Sequence, residues 1–93
     1  MFTALNKNTT TLEVPMSTDD ITALYGALSD TATALTGRYI ELGEAARTPE
    51  EEEFWDTEVM GLREERRRID STDREAVLEH TRRWARELAE LER

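Results

Sequence analysis

The chain predicts an all-α fold, an antiparallel helical hairpin or a three-helix bundle behind a short β-like N-terminal arm. Three observations carry that prediction. From Ile21, alternating steps of four and three reach Tyr25, Leu28, Ala32, Leu35, Tyr39, Leu42 and Ala46 without meeting a charged residue, which is a sustained helical seam. "RTPEEEEF" then reads as a helix start, with Thr48 able to cap, Pro49 suited to the first helical position and Glu50 to Glu53 loading the first turn with negative charge. A second start lies in "IDSTDRE", where Thr72 and Glu75 have capping-box spacing.

Residues 1 to 15 differ from the rest. They hold four threonines, alternate apolar and polar residues from Thr10 to Val14, and stop at Pro15, a strand pattern. Phe2 to Leu5 can form a second strand about an Asn6-Lys7-Asn8 turn. Because a lone two-stranded hairpin is marginal in water, this arm is expected either to be disordered or to pair, for instance with the arm of a second copy. Met16 can also serve as an internal start.

One helical domain is expected over residues 16 to 93, with helices over about 18–46, 49–70 and 72–92. Ser17 or Thr18 caps the first, and Asp19 and Asp20 suit its positive end. Gly37 and Gly43 each cost about 1 kcal/mol relative to alanine, and a break near Gly37 is the alternative to one long helix. The loop before Pro49 is short, so the first two helices should run antiparallel. The second turns Phe54, Trp55, Val59, Leu62 and Ile69 inward, with Arg66 at the one seam position that is not apolar. Val77, Thr81, Trp84, Leu88 and Leu91 form the third seam. It is out of step with the second by one residue, which favours a break over a continuous helix from Pro49 onward.

A chain of 93 residues buries only roughly 60 to 65% of its unfolded surface. It has no cysteine, so neither disulfides nor cysteine-ligated zinc can reinforce it. Leu24, Phe54 and Leu78 lie off the main stripes, and two-fold dimers are the commonest oligomers. A homodimer of helical hairpins is therefore expected.

A net charge of -9, from 21 acidic and 12 basic residues, repels nucleic-acid phosphates and anionic lipid. No apolar run approaches the about 18 residues of a membrane span, and "MFTALNKN" lacks the features of a signal peptide. The expected location is the cytoplasm, with neither nucleic acid nor membrane as partner. A di-iron site wants paired Glu-x-x-His motifs; the one histidine, His80, has valine three positions before it. No metal and no cofactor are expected.

Chemistry, if any, concentrates in "VLEHTRRW" and the turn after it. His80, Arg83, Trp84 and Glu87 follow helical spacing and share one face. A base, an anion holder and an orienting carboxylate beside an aromatic floor make His80, Arg83 and Glu87 candidate catalytic residues. The plainer reading is a polar helix edge, with Arg83 paired to Glu79 or Glu87 in solvent. Tyr25 and Tyr39 lie on nearly the same face of the first helix. With Trp84 they are either core or the lining of a peptide-binding pocket between helices.

An extended, threonine-rich "NTTTLEV" followed by a compact helical body with "EHTRRW" resembles, in layout, the small dimeric helper proteins of duramycin and cinnamycin type lanthipeptide clusters. That resemblance implies a metal-free aza-Michael addition of a peptide lysine to dehydroalanine, closing a lysinoalanine bridge. His80 or Glu87 would then be the base, with Arg83 or a tyrosine hydroxyl holding the enolate. The broader expectation, which needs only the seams, is a small acidic helical homodimer that binds a protein or peptide.

Overall fold

A computed structural model describes residues 18 to 93 and places three helices in them: α1 (Thr18–Glu44), α2 (Pro49–Arg67) and α3 (Arg74–Leu91). The arm expected over residues 1 to 15 lies outside the described residues. Among the described residues the architecture is all-α, without strands.

The first helix is unbroken through Gly37 and ends two residues before the expected Ala46. Its seam does what its spacing requires: Leu28, Ala32, Leu35 and Tyr39 are buried, while Ile21, Tyr25, Leu42 and Ala46 are half-buried toward the two ends. Gly43 faces α2. A Cβ there would lie 3.4 Å from the Cβ of Trp55, in van der Waals contact, which puts Gly43 against the first turns of α2 at the hairpin.

Thr48 is extended and its hydroxyl accepts from the Glu51 amide at 3.0 Å, with Pro49 opening the helix. Glu51 reaches back to the Arg47 amide at 3.2 Å. Gly43 beside Trp55 and Ser29 beside Arg66 set the antiparallel register of α1 and α2. The seam position held by Arg66 is satisfied because its guanidinium donates to the Ser29 hydroxyl.

The break between α2 and α3 is present, but its chemistry differs from the expected Thr72 capping box. Thr72 spends its amide and hydroxyl on the Asp70 carboxylate, at 2.9 and 2.7 Å, which holds that carboxyl below its ordinary range. Asp73, one position later, takes over as cap and accepts from the Ala76 amide at 3.1 Å. The second and third helices are shorter than expected for this reason: residues 68 to 73 form the turn.

On α3, Val77 and Trp84 are buried, and the Thr81 hydroxyl returns a hydrogen bond to the Val77 carbonyl at 2.7 Å. Each fully buried side chain among Leu28, Leu35, Val77 and Trp84 contributes about 1.5–3 kcal/mol of burial. α3 runs parallel to α1. At its carboxyl end, which has no basic residue of its own, Arg38 of α1 donates to the Leu91 carbonyl at 3.1 Å.

Candidate functional site

Both α2 and α3 pack on α1, yet no Cα of α2 comes within 8 Å of one in α3. Helices in full contact sit 8–10 Å apart axis to axis, with closer backbone approaches where ridges interdigitate. The third face of the bundle is therefore open. Long side chains span it, and a cleft of about 260 Å³ remains beneath them.

The floor comes from the seams. Tyr39, Leu62 and Trp84 reach the cleft from α1, α2 and α3 respectively, where helical periodicity turns one residue of each inward. The walls come from the flanks: Glu58, Gly61 and Glu65 on α2, each three or four residues from the next, and Arg83 and Glu87 on α3.

Glu65 fastens one end of the cleft. Its carboxylate accepts from the Arg83 guanidinium and lies 3.3 Å from Nε2 of His80. The other ring nitrogen of His80 faces the Ala76 carbonyl at 2.8 Å, and the ring meets Trp84 edge-on with centroids 5.4 Å apart. His80 thus has an acceptor oxygen beside each ring nitrogen and does not line the cleft. It braces α3 against α2.

Tyr39 donates its phenolic hydrogen to Oε2 of Glu87. Burial pushes the Tyr39 hydroxyl well above the ordinary tyrosine range, and the bond to Glu87 and the negative charges of Glu87, Glu58 and Glu65 push the same way.

Of the expected site residues, Tyr39, Arg83, Trp84 and Glu87 come together here, with His80 immediately behind them. Tyr25 does not join them. It is half-buried about 21 Å away along α1 at 1.5 Å per residue, beside Ile21, Thr22, Ser71 and Thr72. Glu58, Gly61 and Glu65 carry no motif that marks them; only helical spacing from the seam residue Leu62 places them on the flank. The in-helix pairing expected of Arg83 gives way to a cross-helix one, since Glu65 is close enough to accept from it. Among the described residues no three His, Asp or Glu side chains converge so as to hold a metal ion.

Among the described residues these features define a three-helix body with an open, acidic, aromatic-floored cleft. Comparison with protein-family profiles, curated proteins and solved structures yields no match. Among the described residues no helix is long and apolar enough to cross a membrane.

Proposed function

We propose that the protein is a homodimeric peptide- or protein-binding module of the cytoplasm, and that the cleft between α2 and α3 is its recognition surface. One observation carries the reading: the backbones of α2 and α3 stay apart, and the cleft between them is lined by charged side chains above the buried Tyr39, Leu62 and Trp84. Concave surfaces with an apolar base and a few placed polar groups are where ligands bind. Dimer formation is supported by large apolar side chains left in solvent, Ile40 at 46%, Phe54 at 53% and Met60 at 68% exposure.

Gly61 provides the test. Nothing lies within 4 Å of a Cβ built there, so the backbone admits a side chain; Gly61→Trp is expected to occupy the cleft and favours the helix. A random seven-residue peptide display library panned on the wild type should enrich binders that Gly61→Trp loses. No enrichment, or equal enrichment on both proteins, contradicts the reading.

A second reading is the peptide-tailoring enzyme of the lysinoalanine type. It is favoured by the carboxylate, phenol and guanidinium gathered in one cleft. Glu87 would take the proton from the lysine ammonium, the freed amine would add to the terminal carbon of dehydroalanine, and Arg83 or Tyr39 would hold the enolate oxygen until its α-carbon is protonated. Holding lysine and acceptor close would supply much of the acceleration. The addition leaves mass unchanged, so the assay is loss of thiol-reactive dehydroalanine from a dehydrated peptide. Wild type should consume it and Glu87→Gln should not; consumption by neither contradicts this reading.

A further inference from the structure

We propose that the cleft takes an arginine-bearing peptide segment, whose guanidinium meets Glu58 and Glu87 and competes with Arg83 for Glu65. The inference rests on the peptide-binding reading above and adds the chemistry of the occupant.

Charge complementarity selects it. Three carboxylates and one guanidinium line the cleft. Glu65 is engaged by Arg83, Glu87 accepts only the neutral phenol of Tyr39, and Glu58 has no hydrogen bond or ion pair among the described residues. Among the described residues two negative charges are thus left without a cation, in a concave cleft lined mostly by one sign of charge, which concentrates the field there. Since no three carboxylates converge on a point, the site suits a broad, delocalised cation more than a metal ion. A guanidinium has that shape, with donors in a planar fork and a weakly hydrated face that tolerates aromatic neighbours.

Arg83 already shows the fit. Its side chain reaches across from α3 and places a guanidinium on Glu65 while itself 48% exposed, so solvent screening keeps that pair weak and an incoming guanidinium can replace it. Phe54 stands one helical turn before Glu58 on the same face of α2, half in solvent and edge-on to Trp55 at 4.8 Å. It offers an apolar contact for a residue flanking the arginine. A second copy is a poor occupant, because a two-fold contact through this cleft would set Glu58, Glu65 and Glu87 against the same three residues.

Isothermal titration calorimetry on the full chain tests the proposal with two peptides, acetyl-Gly-Leu-Arg-Leu-Gly-amide and its citrulline counterpart, which keeps the shape and loses the charge. The arginine peptide should bind at least tenfold tighter and weaken with added salt. Glu58→Gln should cost about tenfold and Arg83→Ala should tighten binding, with circular dichroism confirming that both variants fold. Equal affinity for the two peptides, or wild-type affinity in Glu58→Gln, overturns the guanidinium assignment while peptide binding itself stands. Weaker binding by Arg83→Ala overturns the competition. Binding of neither peptide, together with no library enrichment, overturns both the inference and the reading beneath it.

Discussion

The Tyr39 hydroxyl on α1 donates to the Glu87 carboxylate on α3, joining the last turns of the first helix to the last turns of the third. Tyr39 is buried and the bond itself is part-buried at the cleft. Hydrogen bonds to charged acceptors contribute about 1.5–3 kcal/mol. Tyr39→Phe keeps the ring and removes the bond, so it should lower stability by about 1–2 kcal/mol in urea denaturation.

The same bond sets a pH dependence. The folded-state pKa of Tyr39 is raised above its ordinary value of 10.0, so above about pH 10 the unfolded chain ionises this phenol before the folded one does. Its contribution to stability is complete below that pH and is lost as pH rises further. Urea midpoints measured from pH 9 to 11 should fall more steeply for wild type than for Tyr39→Phe.

Glu65 joins α2 to α3, but it is 38% exposed and Arg83 is 48% exposed. Exposed pairs contribute about 0–1 kcal/mol. A double-mutant cycle with Glu65→Ala and Arg83→Ala should give a coupling below about 1 kcal/mol that shrinks in high salt.

Core and exposed aromatic residues should separate cleanly. Trp84→Ala should cost about 3–5 kcal/mol, a large share of the total for so small a domain. Phe54→Ala should change monomer stability by less than about 0.5 kcal/mol. Thermal melts over a tenfold range of protein concentration also show whether Phe54 contributes to self-association, since a dimer's melting temperature depends on concentration.

The helix starts give a further contrast. Asp73→Ala removes the α3 cap and should cost about 1 kcal/mol, as should Thr48→Ala at α2. Thr72→Ala removes only the exposed bond to Asp70 and should cost less than either in urea titrations.

How much of this was legible in the sequence follows from what spacing encodes. The burial of Leu28, Ala32, Leu35 and Tyr39 was legible because a seam repeats along one helix, and Thr48 with Pro49 marked a helix start by chemistry alone. The α3 cap was off by one residue, since two neighbouring residues, Thr72 and Asp73, can both cap and only the turn geometry assigns Thr72 to Asp70. The pairing of Glu65 with Arg83 and His80 was not legible. Spacing relates residues within a helix, whereas partners on different helices depend on crossing geometry. Tyr25 and Tyr39 looked equivalent by spacing; they part because the cleft lies beside only one of them.

The decisive experiment for the proposed docking of a cationic peptide side chain between α2 and α3 is an NMR titration. Amide and indole spectra of the full chain are recorded while acetyl-Gly-Leu-Arg-Leu-Gly-amide is added. Shifts should be confined to Glu58, Gly61, Glu65, Arg83, Glu87 and the Trp84 indole. Shifts centred instead on the opposite groove at Thr33, Thr36 and Arg63, or no shifts at all, would contradict it.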